Sequence, residues 1–456
     1  MHPGEHIFRQ YDIRGVVGSD LDASVAMAVG EAYASELKGR TSRPSPRVVV
    51  GADNRPSSPS LRTGLVRGLR SAGCDVLGLG TVPTPVTYFS EYHFRADGSI
   101  QITGSHNPPE YNGIKMTMGK GPVHGDAIQR LLSRIRSRDL TEGSGSLEMV
   151  DPLPPYAADV SGRFRLARPL KVVVDCGNGT GSVVAVELLR AVGLDVIPLY
   201  CESDGTFPNH HPDPTVDEYV QDMIAAVRIH GADMGIGFDG DADRIGVVDD
   251  RGDVVRGDIL LLLFGLDVLR RRGAGQTLIF DVKCSQILPE EFERAGGHPV
   301  MWKTGHSLIK EKMKELGAPI AGELSGHICF ADDYYGFDDA LYAACRLAEL
   351  VAASDRPLSD LSGALPGYVS TPELRIDVPE EVKFGLVERA RAHFGARHDV
   401  IAVDGVRVLF GDGWGLIRAS NTQPVVVARY EAKTRDRLAE IQVTMEAWLR
   451  DQGVRV

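Results

Sequence analysis

The sequence predicts an α/β protein of three similar βαβ-based domains, each with a mixed but mainly parallel sheet, followed by an α+β domain with an antiparallel sheet. Three observations carry this: a unit that recurs three times, a change of pattern beyond Pro372, and a length of 456 residues. At about 150 residues per domain, that length asks for three or four cores.

Each repeat opens on an apolar run that ends in an acidic residue and a polar turn: RVVVGADNRPSS from Arg47, KVVVDCGNGTGS from Lys171, TLIFDVKCSQIL from Thr277. Such runs read as buried strands. A helix-length segment follows each, then a second strand introduced by glycine: SAGCDVLGLG, AVGLDVIPLY and RAGGHPVMW. The spacings, from Asp53 to Gly73, Asp175 to Gly193 and Asp281 to Gly296, suit a βαβ crossover. Polar loops close the second strands too, at the sheet end where α/β proteins usually bind ligands.

Two segments rich in Gly, Ser and Pro read as joints, TEGSGSLEMVDPLPPY (141–156) and SGALPGYVSTPE (362–373), and a third boundary falls near 250–257 without a linker. The expected domains are 1–150, 151–253, 254–366 and 367–456. In the last, ELRIDV, a helix, DGVRVLF, WGLIRAS, PVVVARYEA and an amphipathic helix over 434–450 suggest short antiparallel strands flanked by helices.

A net charge of -12 argues against nucleic-acid or anionic-membrane binding, so any anionic substrate must meet locally concentrated cations. MHPGEHIFRQYDIRG has no apolar leader core, and the apolar run at 259–266 is too short to span a bilayer. A cytoplasmic enzyme or binding protein is expected. The six cysteines form no C-x-x-C pair and read as reduced, buried residues.

The strongest local motif is GIGFDGDADRIGVVDD. Asp239, Asp241 and Asp243 alternate between two strand-like runs, and three carboxylates this close repel unless a hard cation neutralises them. The alternative is an acidic hairpin turn. An EF-hand fits poorly, because Arg244 stands where its glycine is needed. A haloacid-dehalogenase-type aspartyl nucleophile would want D-x-D-x-Thr or Val, and Asp243 stands where that Thr or Val belongs. Oxygen ligands favour Mg²⁺ over zinc.

KVVVDCGNGTGS places Gly177 and Gly179 as in a dinucleotide loop, but Ser182 replaces the third glycine; a tight strand-to-helix turn is the better reading. GELSGH alternates Glu323, Ser325 and His327, a row of donors and acceptors for vicinal sugar hydroxyls, or an ordinary polar turn. WGLIRASNTQP sets Arg418, Ser420, Asn421 and Thr422 at a strand end, as a phosphate cradle or a surface turn. ITGSHNPPEYNGIKM carries Ser105 in a proline-closed turn without a nucleophile elbow or a dedicated base. A serine without a base suits phosphoryl carriage better than ester attack.

Taken in order, YDIRG, TGSHNP, FDGDADR, DVKCS, KTGHS, GELSGH and RASNTQP resemble the α-D-phosphohexomutase superfamily, and within it the bacterial phosphomannomutase/phosphoglucomutase group. The resemblance covers the whole chain. It implies three α/β domains and a fourth, helix-flanked sheet domain around a central cleft, and reversible conversion of hexose 1-phosphate to hexose 6-phosphate through a hexose 1,6-bisphosphate.

By that resemblance Ser105 is the phosphoserine and joins Asp239, Asp241 and Asp243 around Mg²⁺; Arg14, His106, Lys115, Arg244 and His306 assist catalysis. Tyr11, Lys283, Thr304, Gly305, His306, Glu323, Ser325, His327, Arg418, Ser420, Asn421 and Thr422 bind substrate. Glucose 1,6-bisphosphate is the expected activator, hexose phosphates the only expected partners, and a monomer or weak homodimer the expected assembly. The fourth domain is expected to move on the 362–373 joint. Phosphoglucosamine mutase and a Mg²⁺-dependent sugar phosphatase are the alternatives; GELSGH and TGSHNP differ from the former's GEQSGH and its alanine before the serine.

Overall fold

The computed structural model describes residues 3–421 and 423–456. It divides into two compact units, Met1–Leu260 with Ser325–Ser362, and Leu261–Leu324 with Gly363–Val456.

The first unit holds two sheets. In the first, Arg47–Ala52 lies parallel to both Asp75–Thr81 and Gly98–Ile102, while Tyr111–Met118 runs antiparallel to Gly98–Ile102 and Ile13–Val16. Strand Arg47–Ala52 is β-branched and nearly all buried, as a central parallel strand should be. Helix Ala23–Lys38, capped by the Asp22 carboxylate on Ser24 N and Val25 N, packs on helix Ser58–Ser71. Gly30, Gly64 and Gly68 permit the close crossing: a Cβ at Gly64 would lie 2.1 Å from Ala23 O.

The second sheet is built the same way. Lys171–Asp175 is parallel to Asp195–Leu199 and to Met234–Phe238, and the last forms an antiparallel hairpin with Ile245–Asp249. KVVVDCGNGTGS is a tight turn: Gly177 and Asn178 take φ of 50° and 58° before a short 3₁₀ helix, Thr180–Val183.

In the second unit Thr277–Asp281 lies parallel to His298–Trp302 and Ile320–Gly322, the third instance of the repeat. The C-terminal sheet is antiparallel throughout, with Val425–Ala432 pairing Gly413–Ala419, Leu374–Asp377 and Val369–Ser370. Helices Glu380–Gly395 and Arg435–Asp451 pack on it, the latter capped by Thr434. Arg407 is fully buried, stacks on Trp414 at 3.7 Å, and donates to Val282 O and Cys284 O at 2.9 and 2.8 Å. Arg429 donates to Lys283 O at 2.6 Å. The 281–286 loop is thus anchored on the C-terminal sheet, and any motion about the 362–373 joint that parts them breaks buried bonds.

The segment read as a joint, 141–156, carries secondary structure of its own. Leu147–Met149 adds a parallel edge strand to Asp75–Thr81, and helix Leu153–Ser161 follows. Its glycines serve close approach rather than flexibility, since a Cβ at Gly145 would lie 1.7 Å from Cys74 O. Lys120, a cation without a sequence-based role, has its ammonium 4.4 Å from the centre of the Tyr92 ring. Among the described residues no helix is long and apolar enough to cross a membrane.

Candidate active site

Ser105 follows strand Gly98–Ile102 with φ of 49°, a left-handed conformation that costs a non-glycine residue about 1–2 kcal/mol. Arg55 holds it there. That guanidinium, 1% exposed, donates to Ser105 O (2.8 Å), Asn107 O (2.6 Å), Pro108 O (2.7 Å) and Tyr111 O (3.1 Å), and its Nε to Asp53 (3.2 Å). Asp53 also accepts from Gly104 N at 2.9 Å, and His211 Nε2 bonds His106 O. Gly104 and Gly240 leave the room required: a Cβ at either would lie 2.4 Å from Arg55 Nε or Ser105 O, respectively.

The buried Ser105 Oγ donates to Asp239 Oδ2 at 2.8 Å. The sequence suggested no base beside it, yet His106 Nδ1 is 3.2 Å from Oγ. Burial, then Arg244 and Arg14, push that imidazole well below the usual histidine range. It is therefore a neutral hydrogen-bonding partner, poorly suited to hold a proton.

Asp239, Asp241 and Asp243 lie on the loop of the Met234–Phe238/Ile245–Asp249 hairpin, all 0% exposed, with one carboxylate oxygen from each within 4.8 Å of the others. Ala242 takes φ of 58° to turn the chain between them. Lys115 Nζ bridges Asp241 (2.8 Å) and Asp243 (2.5 Å), and Thr84 donates its hydroxyl (2.6 Å) to Asp241 Oδ2 and its N–H (2.9 Å) to Asp241 O. Backbone N–H groups of Asp243 and Arg244 donate to Asp239 Oδ1 at 3.1 and 3.2 Å.

The charge balance is incomplete. Burial, then repulsion from Asp241 and Asp243, raises the Asp239 carboxyl well above its usual range. Burial would raise Asp241 too, but Lys115 overrides it and holds Asp241 down; burial likewise works against the Lys115 ammonium, which Asp241 and Asp243 hold up. Among the described residues, Asp241 Oδ1 and Asp243 Oδ1 are buried and accept no hydrogen bond. Buried unsatisfied carboxylate oxygens beside a repelled third carboxyl fit a hard divalent cation with oxygen ligands.

Cations surround this loop. Arg14 bonds Asp12 at 2.8 Å and Asn107 at 3.1 Å. Arg244 Nε donates to His327 Nε2 at 2.9 Å, and His327 Nδ1 faces Asp338 at 3.0 Å. Tyr11 is half-buried on the turn before strand Ile13–Val16, and Ser325 is half-buried in the GELSGH loop. The division between the units runs through that motif, Glu323 belonging to the second and Ser325 and His327 to the first.

In the second unit the predicted residues gather around two unanticipated carboxylates. Asp281 accepts from Thr304 Oγ1 (2.9 Å) and Leu324 N (3.0 Å), and Lys283 Nζ lies 3.8 Å from it. Asp404 accepts from Thr304 N (3.0 Å) and Arg418 Nε (2.5 Å). Gly305 N donates to Glu323 Oε1 at 2.5 Å. Lys283 pairs with Glu373 at 3.1 Å; burial would raise that carboxyl, but Lys283 pulls it down to about 2. His306 is buried as the first residue of helix His306–Leu316, where the sequence suggested a loop.

Ser420 and Asn421 follow strand Gly413–Ala419, and Gln423 N donates to Ser420 Oγ at 3.1 Å; Thr422 lies outside the described residues. Buried Lys383, on helix Glu380–Gly395, donates to Ser420 O (2.6 Å) and Gln423 O (3.1 Å). The sequence carried signals for Asp281, as a repeat's strand-end acid, and for Asp404, in a DG turn. For Arg55 and Lys383 it carried none.

Models of the four phosphoglucomutase/phosphomannomutase domains match the chain: α/β/α domain I over 5–142, II over 154–252, III over 256–368, and the C-terminal domain over 373–447. A phosphomannomutase/phosphoglucomutase of Pseudomonas aeruginosa is 47% identical over 446 residues, 97% of this chain and 95% of that one. A phosphoglucomutase of Neisseria meningitidis is 43% identical over 448 residues, covering 97% and 96%. The crystal structure of a phosphoglucomutase/phosphomannomutase family protein from Burkholderia thailandensis superposes with a TM-score of 0.92 at 45% identity, covering 98% of both chains.

Proposed function

The chain belongs to the phosphoglucomutase/phosphomannomutase family, and from that premise we propose that it interconverts hexose 1-phosphates and hexose 6-phosphates of mannose, glucose or both, with Ser105 as the phosphoryl carrier. The observation that carries the reading is the Ser105 hydroxyl at 2.8 Å from Asp239, in a strained turn beside three buried carboxylates.

Phosphoryl transfer needs alignment and charge neutralisation more than covalent help. In the forward half-reaction the Ser105 Oγ–P bond breaks as a bond forms between that phosphorus and a sugar hydroxyl oxygen, the hydroxyl proton passing in net to Ser105 Oγ, which gives a hexose 1,6-bisphosphate. In the return half-reaction the other phosphoryl group moves to Ser105 Oγ and the isomeric monophosphate leaves. Arg55 fixes the attack angle by holding the backbone of the serine loop. Arg14, Lys115 and Arg244 offset the charge of the phosphoryl oxygens. A divalent ion, Mg²⁺ by the oxygen-only donor set, held by Asp239, Asp241 and Asp243, would supply further neutralisation there.

Glu323 and Ser325 bind sugar hydroxyls in this reading. Arg418, Ser420, Asn421 and Thr422 hold the phosphate that is not reacting, and Lys283, Thr304, Gly305, His306, His327 and Tyr11 complete the substrate contacts. The domains run 1–150, 151–253, 254–366 and 367–456. Glucose 1,6-bisphosphate is the activator, and the enzyme works in the cytoplasm as a monomer or weak homodimer.

The deciding experiment is a coupled mutase assay on mannose 1-phosphate and glucose 1-phosphate with Mg²⁺ and a trace of glucose 1,6-bisphosphate. Hexose 6-phosphate should form, and Ser105→Ala should lose nearly all turnover. Free phosphate accumulating in place of hexose 6-phosphate would identify a phosphatase and overturn the proposal.

A further inference from the structure

Cys176 and Cys201 leave the carboxyl ends of adjacent parallel strands, Lys171–Asp175 and Asp195–Leu199, where Asp175 is in register with Leu199. Their sulfurs share a hydrogen bond at 3.3 Å. Cys176 is fully buried and Cys201 half-buried, so only one of the two is open to a small reagent. We propose that this pair is a redox modification site, closed to an intramolecular disulfide by a small hydroperoxide and reopened by a dithiol reductant.

The chemistry divides the two roles. The contact between the two thiols, the largest influence on each, lowers the Cys201 thiol below its ordinary range and raises Cys176. Cys201 is thus the better thiolate and the more accessible one, and it attacks first. Its sulfur bonds to the terminal oxygen of the hydroperoxide, the O–O bond breaks, and the departing alkoxide or hydroxide takes a proton. The Cys176 sulfur then displaces hydroxide from the Cys201 sulfenic acid: an S–S bond forms, the S–O bond breaks, and the hydroxide leaves as water with the Cys176 proton. Two thiols lose two electrons in all, and one hydroperoxide is reduced.

Closure reaches the aspartate loop. The sulfurs must approach from 3.3 Å to about 2.0 Å, and Cys176 has no slack. Cys176 O accepts from Gly179 N at 2.8 Å, and Thr180 N and Oγ1 donate to Gly240 O at 2.9 and 3.1 Å. Gly240 stands between Asp239 and Asp241 and packs against Ser105 O. The disulfide therefore displaces the 177–180 turn and, through Gly240, the loop that carries the carboxylates.

The test treats the reduced, full-length protein with a small excess of hydrogen peroxide, alkylates the remaining thiols and maps the peptides. The expected product is a Cys176–Cys201 linked peptide lacking two hydrogens, reversed by dithiothreitol, with Cys74, Cys284, Cys329 and Cys345 still alkylated. In Cys176→Ser, Cys201 should instead be trapped as a sulfenic acid by dimedone. Should that variant fail to fold, the native map decides alone. Amide exchange over 177–180 should rise on oxidation. Linkage through other cysteines, or Cys201 no more reactive than buried Cys345, would overturn the site; unchanged exchange would overturn its coupling to the aspartate loop.

Discussion

Ser105 Oγ and Asp239 Oδ2 lie 2.8 Å apart although 134 residues separate them in the chain. The hydroxyl thus meets a carboxylate whose ionised form is disfavoured by burial and then by Asp241 and Asp243. Such a cluster stores repulsion that a bound cation relieves. Each carboxylate has a second role as a steric and hydrogen-bonding part of the loop, so stability and metal binding should respond differently to its neutralisation.

Asp239→Asn separates the two. An amide oxygen still accepts the N–H groups of Asp243 and Arg244, and the repulsion disappears. Without metal the variant should melt higher than the parent, by about 2–4 °C for each kcal/mol relieved. The parent should gain about 2.7 kcal/mol when Mg²⁺ is at a hundred times its dissociation constant; the variant should gain almost nothing. Scanning calorimetry with and without Mg²⁺ reads both. A metal-induced shift that persists in Asp239→Asn would remove this residue from the ligand set, while Ser105→Ala should keep most of the shift.

Arg55→Lys tests the support of the serine turn. Lysine keeps the charge but cannot make the fork that reaches four carbonyls and Asp53. Losing part of this buried network should cost about 3 kcal/mol in urea unfolding. Turnover should fall further than stability explains, because Ser105 is no longer held at positive φ. Full activity in a folded Arg55→Lys protein would exclude Arg55 as a positioning residue.

What the sequence made visible follows from where each constraint resides. Ser105 and the three aspartates stand out because their chemistry is local: a proline-closed turn, and carboxylates at alternate positions of a hairpin. The three repeats stand out because buried parallel strands leave continuous apolar runs. Arg55 does not, since its five bonds reach as far as Tyr111 while NRPSS reads as any polar turn. Arg407 sits in an ordinary alternating strand, and only the fold puts it against Val282 and Cys284. The 141–156 segment joins domains I and II, but the packing of its glycines is hidden for a related reason: glycine marks close approach as readily as flexibility, and the partner, Cys74, is remote in sequence.

Lys383 offers a test of the RASNTQP loop. Its ammonium is buried and holds the carbonyls of Ser420 and Gln423, with Glu380 at 2.7 Å as counter-ion. Lys383→Met keeps most of the side-chain volume but releases both carbonyls. If the loop holds the non-reacting phosphate, KM for glucose 1-phosphate should rise about tenfold, equivalent to one lost hydrogen bond to a charged group. The value of kcat should fall less. Steady-state kinetics with a circular-dichroism check of folding measures this, and an unchanged KM would detach the loop from substrate binding.

Asp339 predicts a pH dependence. Its carboxylate is buried and accepts from Tyr156 OH at 3.0 Å, Tyr334 OH at 2.7 Å and Tyr342 N at 2.9 Å. Burial outweighs these bonds and raises its pKa from 3.8 to about 6. The folded state then binds more protons than the unfolded chain between those values, so stability from this group is fully present below about pH 4 and lost as pH rises through 6. The full swing is about 3 kcal/mol. Asp339→Asn cannot ionise, and its amide can exchange donor and acceptor roles with the tyrosine hydroxyls. Measured by thermal melts, the stability of the variant relative to the parent should climb from pH 4 to 6 and stay level up to pH 8. A flat difference across that range would mean that Asp339 titrates normally despite its burial.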